Sequence, residues 1–357
     1  MMTTEARNKP ALNGNWDLAM DYPVLDPAAD LDVGENHAFW FFDHAGQYSL
    51  LNCHIQGGGS VPAGSVITGT YQKFDNWRRR RIVFPIGGPN DELMVDFAIA
   101  DGAEANGYAL GGWTFRCIVP FERWTGQYRG SPRVIPRLDS LPGIVDLDGP
   151  REPIEIDVDF EMALPPWDTG AYCEDTPGRA DGLLAVGRPR YEQLCHVLGT
   201  VRRPGRADYQ FTGTGLRTHR LGARAATVCR GTSWASAVFP SGKGFGSLQL
   251  LDKAGGKMYA EAFVAAADRV MRQVRVVRTP YLEKLDCVGR RFEIELEEVG
   301  RSHVVAGEVL QCAFNYGIGV DRAPGAIDFA HMMCRYHWDD EETVGLLEQG
   351  MEIERLT

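Results

Sequence analysis

The chain has 357 residues and a formal net charge of −11, an acidic balance that disfavours nucleic acid and anionic membranes as partners. With 44% apolar and 24% charged residues it is not a disordered chain, and its length sets an expectation of two domains. The 41 glycines and 20 prolines punctuate it every few residues, which favours many short strands over long helices. No window approaches the roughly 18 apolar residues of a membrane span. The first residues, MMTTEARNKPALNGNW, lack the apolar core of a signal peptide. Eight cysteines with no CxxC pair give neither zinc spacing nor a dense disulfide framework, so reduced, buried thiols in a cytoplasmic protein are expected.

After a loop-rich lead-in containing Asp21, Pro23 and Asp26, the aromatic run His37–Phe42 and the segment Gln47–Ile55 predict two strands about a turn at His44-Ala45-Gly46. Further strands are predicted at Ser65–Lys73, Arg81–Ile86, Leu93–Ile99, Tyr108–Val119 and Ile154–Leu164. The last of these alternates apolar with acidic residues, the period of a sheet with one wet face. The basic run Arg78–Arg81 is too short for a nucleic-acid face and reads as a solvated edge. From Pro165 to Arg190 the periodicity breaks, which marks a domain boundary or inter-domain loop; Gly182–Val186 within it reads as a short helix or a strand start. The expected domains are 1–185 and 186–357.

The second half repeats the texture. Strands are predicted at Tyr191–Val201, Tyr209–Phe211, Ala225–Cys229, Ser233–Phe239, Gly246–Leu251 and Lys257–Val264. Val270–Val277 follows, then a hairpin of Phe292–Glu297 and His303–Gln311 about Gly300. AEAFVAAADRVM is alanine-rich, but the alternating valines beyond it favour a hairpin there. Cys334–Glu348 reads as strand, acidic turn and strand.

One stretch concentrates chemistry. After Tyr209–Phe211 come Gly213 and Gly215, read as a Gly-rich turn, then Arg217, His219, Gly222 and Arg224, with Trp234 ten residues later. On a strand, Arg217 and His219 share a face, an imidazole flanked by arginines that suits a base or a polar strut. Trp234 reads as core or as the wall of a ligand cavity. Tyr259 and Glu261 share a strand face, and a carboxyl in an apolar barrel would titrate high enough to serve as a general acid; a solvent-facing glutamate is the alternative. His37 with Asp43 and His44, and His331 with His337, are candidate ligand sets by residue type; no metal centre is expected from them. No P-loop, dinucleotide fingerprint or GxSxG elbow is present.

The line YEQLCHVLGTVRRPGRADYQFTGTGLRTHRLGAR, residues 191–224, resembles the start of the C-terminal half of the AttH/carotenoid 1,2-hydratase (hydroxyneurosporene synthase) superfamily. Those proteins show Gly-x-Gly and then Arg-Asp-His-Ser-Trp-Gly-x-Arg; Arg217, His219, Gly222 and Arg224 are in register. The closing RYHWDDEETVGLLEQG is similar to the family's last hairpin, with Gly345 and Glu348 matching, and FWFFDHAGQ, which carries Trp40, also fits. Thr218 stands where the family has Asp, and Leu221 where it has Trp. The family's His-x-Trp and Tyr-x-Asp pairs, associated with protonation, correspond to His219-Arg220-Leu221 and Tyr259-Ala260-Glu261.

The resemblance implies an all-β chain of two lipocalin-like antiparallel barrels or sandwiches side by side. This agrees with the short, alternating strands. The activity it implies is a cofactor-independent lyase/hydratase or isomerase/cyclase that moves a proton on a lipophilic, terpenoid- or polyketide-like substrate. In that reading His219 shuttles the proton, Glu261 or Glu348 is the partner acid, and Tyr259 stands beside Glu261. Arg217, Arg224, Trp234 and Trp40 hold the substrate. The second reading is a non-catalytic carrier of an apolar ligand.

Overall fold

The computed structural model describes residues 10–23, 34–58, 81–104, 106–141, 149–221, 229–314 and 327–352. Among them the chain forms two antiparallel, barrel-like sheets side by side. The predicted strand Ser65–Lys73, the arginines at 78–80, and Gly222 and Arg224 lie outside the described residues.

The first sheet begins with β1 (Gly34–Asp43), β2 (Ser49–Gly58), β3 (Arg81–Gly87), β4 (Glu92–Glu104), β5 (Gly107–Leu110) and β6 (Trp113–Val119). It continues with β7 (Arg123–Gly130), β8 (Arg133–Pro136), β9 (Ile154–Met162), β10 (Trp167–Asp168), β11 (Arg190–Arg202) and β12 (Tyr209–Leu221). The order β11–β12–β1–β2–β3–β4–β5–β6–β7–β9 returns to β11 through the β9–β11 pairing, and a closed sheet of this kind leaves no edge. Inside it Phe39, Phe41, Trp113, Phe115, Trp124 and Phe160 pack as a dense aromatic core.

The second sheet comprises β13 (Cys229–Val238), β14 (Gly244–Asp252), β15 (Lys257–Ala265), β16 (Met271–Gln273) and β17 (Arg275–Arg278), then β18 (Arg291–Glu298), β19 (Arg301–Phe314), β20 (Ile327–Trp338) and β21 (Glu341–Glu352). Its outermost strands, β16 and β17, are consecutive in the chain and separated by Val274 alone. The alanine-rich segment is strand, as its valine alternation predicted: β15 turns into β16 with Val264 opposite Arg272.

One expectation changes. The glycines at 213 and 215 are not a turn. They lie inside the continuous strand β12, where a Cβ on Gly213 would come within 1.9 Å of the Phe42 carbonyl oxygen and one on Gly215 within 2.6 Å of the Trp40 carbonyl oxygen. Their role is close approach to β1. β11 and β12 belong to the first sheet, and sheet membership changes between Leu221 and Cys229.

The aperiodic segment before β11 is an arm rather than a free linker. It leaves the first sheet, hydrogen-bonds to β15 through Glu174 N–H and the Ala260 carbonyl at 2.7 Å, and forms the short helix α1 (Arg179–Val186). Gly182 of α1 sits directly on Tyr259. The chain then returns to the first sheet as β11.

Candidate functional site

Strand alternation divides the chemistry into two layers. On β11, Tyr191, Cys195 and Val197 face the lumen of the first barrel, and Leu194 faces the second sheet; on β1, Phe39 and Phe41 face the lumen, and Ala38, Trp40 and Phe42 face the second sheet. Side chains one residue apart therefore reach different compartments.

The lumen holds a buried polar network. Asp21, at the end of the 3-10 turn Leu18–Asp21, accepts hydrogen bonds from Phe121 N–H (2.7 Å), Trp124 Nε1 (2.9 Å), Tyr191 Oη (2.7 Å) and Arg217 Nη2. Burial alone would raise the Asp21 carboxyl, but the Arg217 guanidinium and these donors hold it below the usual range. Rings of Tyr191, Trp124 and Phe121 enclose Arg217, with centroids 5.1, 5.3 and 5.7 Å from its guanidinium carbon. Next to this pair, β1 and β12 set His37 directly opposite His219. Glu35 Oε1 lies 2.9 Å from His219 Nε2, 3.4 Å from His37 Nε2 and 3.1 Å from the Tyr108 hydroxyl that donates to it. His219 Nδ1 lies 2.8 Å from the Met20 carbonyl. Burial would raise the Glu35 carboxyl, yet the two imidazoles hold it well below its ordinary value, while burial and the His219 charge press His37 down to about 3.

On the other face of the same strands lies the seam between the sheets. Trp40 of β1 meets Trp234 of β13 edge to face at 5.4 Å, and Arg190 of β11 covers Trp234 at 5.1 Å. Arg190 Nη2 is 2.7 Å from Glu192 Oε1. Facing them from β15 are Tyr259, Glu261 and Phe263, with Trp167 of β10 against Phe263 at 5.2 Å. Glu261 Oε2 accepts the Gly170 N–H at 2.6 Å, a contact supplied by the arm that leads to α1. Burial pushes Glu192 up to about 8 against the pull of Arg190, with Glu261 and Glu348 adding to the rise. Burial likewise pushes Glu261 up to about 7, opposed by the Gly170 amide and Tyr259. On β20 and β21, His331 Nδ1 lies 3.2 Å from Glu348 Oε2, and burial takes His331 down to about 3, which keeps it neutral. Several buried donors here, Trp167 Nε1, Trp234 Nε1, Thr169 Oγ1, Thr232 Oγ1 and Ser236 Oγ, have no hydrogen-bond partner among the described residues. Such atoms are rare in folded chains because each costs about 1–3 kcal/mol, and a cluster of them calls for an explanation.

Comparison with known proteins places this architecture. The sequence matches a family described as a domain of unknown function, DUF7064, over residues 82–353. This chain belongs to the DUF7064 family. Among solved structures it is similar to an AttH protein from Nitrosomonas europaea, at 13% identity and a TM-score of 0.57, covering 95% of this chain and 98% of that one. It is also similar to CghA solved with Sch210972, at 10% identity and a TM-score of 0.52, over 93% and 94% of the two chains. Kievitone hydratase from Nectria haematococca aligns at 10% identity and a TM-score of 0.47, over 97% and 98%. No curated protein matches by sequence. The DUF7064 chain thus has the AttH-like double-lipocalin fold, and no helix among its described residues is long and apolar enough to cross a membrane.

The DUF7064 structure brings Tyr259, Glu261, Glu348, Trp234 and Trp40 into one seam and sets Arg217 and His219 apart in the lumen. His219 therefore does not share a compartment with Glu261 or Glu348, because residues 217 and 219 face inward while Leu216 faces the seam. Arg217 is engaged by Asp21 and enclosed by the rings of Tyr191, Trp124 and Phe121. Neither weighed metal set converges. Asp43 is occupied by Ala45 N–H, Gln47 N–H and the Tyr209 hydroxyl. His331 is buried in the seam, whereas His337 is half exposed beside Glu342. Sequence reasoning missed Asp21, Glu35, Arg190 and Glu192. For the last two a signal existed: Arg190 and Glu192 alternate with Tyr191 and Gln193, so both faces of β11 carry polar groups.

The eight cysteines are buried free thiols. Among the described residues, one groove of about 440 Å³ lies at the end of β7, the start of β9 and the end of β11, and another of about 500 Å³ lies over β9, β11 and β12.

Proposed function

We propose that the seam is an active site for cofactor-independent proton transfer on a lipophilic substrate, of the lyase/hydratase or isomerase/cyclase type. One observation carries this reading. Glu261 and Glu192 are fully buried carboxyls raised to about 7 and 8 between indole walls. A carboxylic acid that keeps its proton near neutrality in an apolar, water-poor site is the group a general acid requires.

Glu261 delivers its proton to a carbon–carbon double bond, and the cation formed faces Trp40 and Trp234, whose ring faces stabilise positive charge. The cation then collapses by losing a proton to the Glu261 carboxylate, which gives an isomer or a cyclised product and restores the acid, or by adding water, whose proton returns to Glu261. The neutral His331, beside Glu348 on the same sheet as Glu261, lines the site without adding charge to it. The unpartnered indole and hydroxyl donors suit oxygen functions of a terpenoid- or polyketide-like ligand. CghA, of the same fold, was solved with Sch210972, which supports a ligand-binding reading.

Incubation with alkene-bearing terpenoids and polyketides in D2O, followed by mass spectrometry, tests this. Deuterium uptake or product that disappears in Glu261→Gln at an unchanged melting temperature is expected. Ligand retention with neither uptake nor product in wild type and variant alike leaves the carrier reading in its place.

A further inference from the structure

We propose a second, separate site in the lumen of the first barrel: Glu35, His37 and His219 bind one divalent transition-metal ion of the zinc type. The three donors come from the two-strand register itself. Glu35 and His37 are two apart on β1 and share its inward face, and His219 is the cross-strand partner of His37 on β12. One ligand-capable atom from each lies within 4.8 Å of the others, and all three side chains are buried. Two imidazoles and a carboxylate form a donor set that suits zinc and its divalent neighbours.

The tautomer of His219 makes the case physical. Its Nδ1 faces the Met20 carbonyl at 2.8 Å, and a carbonyl only accepts, so Nδ1 carries the hydrogen. In the neutral ring Nε2 then has a lone pair, and it is aimed at the Glu35 carboxylate oxygen 2.9 Å away. Two electron pairs face each other at that distance only when a cation, either a proton or a metal ion, lies between or beside them. An Nδ1–H held by a backbone carbonyl is also the arrangement that orients a metal-binding histidine.

His37 decides between the two cations. A proton on His219 would satisfy Glu35 but leaves His37 unexplained. That ring is completely buried, lies against His219 with ring centroids 3.7 Å apart and planes tilted by 35°, directs Nε2 at the same Glu35 oxygen from 3.4 Å, and neither of its nitrogens has a hydrogen-bond partner among the described residues. A metal ion shared by both Nε2 atoms and the carboxylate accounts for all three groups together. The Tyr108 hydroxyl donates to Glu35 Oε1 at 3.1 Å and helps to orient that carboxylate. With Arg217 and the rings of Trp124 and Tyr191 around it, the site is closed to bulk water and reads as structural.

The test uses tag-free, full-length protein produced in zinc-supplemented medium, with metal content measured after dialysis. The expected result is one equivalent of zinc per chain, at least about tenfold less in His37→Gln, by the scale on which lost ligand support weakens metal sites. The melting temperature should fall after chelator treatment and recover when zinc is restored. Cobalt(II) added to the stripped wild type should give the visible d–d bands of a low-symmetry nitrogen and oxygen site, a readout that does not depend on any variant folding. Metal well below one equivalent, together with a melting temperature indifferent to chelator and zinc and no cobalt bands, overturns the proposal and leaves a protonated His219 beside Glu35. None of these readouts depends on turnover at the seam.

Discussion

Asp21 and Arg217 are 196 residues apart in sequence and form a fully buried ion pair. The pair fastens the N-terminal 3-10 turn into the lumen of the first barrel, and Tyr191, Trp124 and Phe121 close over it. A buried pair is a weak net contributor, because desolvation offsets most of the attraction, but breaking it leaves one charge stranded. Asp21→Ala is expected to lower unfolding free energy by about 3–5 kcal/mol. Replacing both residues with apolar ones of similar size should cost clearly less. Urea denaturation of wild type, Asp21→Ala and the double variant checks this, and a double variant as unstable as Asp21→Ala would contradict it.

Stability should fall as pH rises toward mild alkalinity. The Glu261 and Glu192 carboxyls lie at about 7 and 8 in the folded chain against 4.5 as model values. Between these limits each of the two carboxyls holds more protons folded than unfolded and contributes a negative slope of stability with pH. His37 and His331, at about 3 in the folded chain against 6.5 as model values, contribute a positive one up to about 6.5, so the net fall shows above that pH. The carboxyl contribution is complete below about 4.5, is lost progressively through the window, and levels off above about 8. Glu261→Gln and Glu192→Gln should each flatten the slope, by at most about 1.4 kcal/mol per pH unit for a single group. Denaturation midpoints measured across the window for wild type and variants give the difference directly. Equal slopes in all three would mean the two carboxyls are not held protonated.

Arg190 touches both Glu192 and Trp234. Arg190→Met removes the charge that opposes the upward push of burial on Glu192, and on Glu261 as a lesser influence. The alkaline limb of the pH–rate profile should therefore move to higher pH. A double-mutant cycle with Trp234→Leu is expected to return about 0.5–2 kcal/mol of coupling for the cation over the indole. A coupling near zero would show that Arg190 acts on the carboxylates alone.

Glycine substitutions separate close packing from turn geometry. Gly213→Ala places a methyl against the Phe42 carbonyl, where the available distance is 1.9 Å, and overpacking of that kind costs about 1–3 kcal/mol or more. Gly205, at φ +74° with nothing within 4 Å, bears only the left-handed backbone penalty of about 1–2 kcal/mol. Thermal melts of both alanine variants should rank Gly213→Ala as the less stable.

Alternation along single strands was enough to read the class of fold. Aromatic and β-branched runs such as FWFF and the IEIDVDFEM pattern are local, so period 2 identifies them without tertiary information. The hairpin from β15 to β16 was legible for the same reason. The glycines of β12 were misread because their cause is the carbonyl of another strand, which composition cannot display.

The seam and the lumen differ in how far sequence could reach. Tyr259 with Glu261, Glu348, Trp234 and Trp40 could be named from residue type and resemblance, but not their union, since that depends on two sheets facing each other. Sequence parity alone put Arg217 and His219 on one face; which compartment that face looks into followed only from the closure of β9 on β11. Asp21 and Glu35 carry no local signature at all. Their chemistry arises from partners such as Arg217 and His219 that lie 196 and 184 residues away. Periodicity of the chain determined the strands and their faces because it is a property of neighbours. The pairing of charges was decided by the folded topology, since burial and distance in space have no representation in the order of residues.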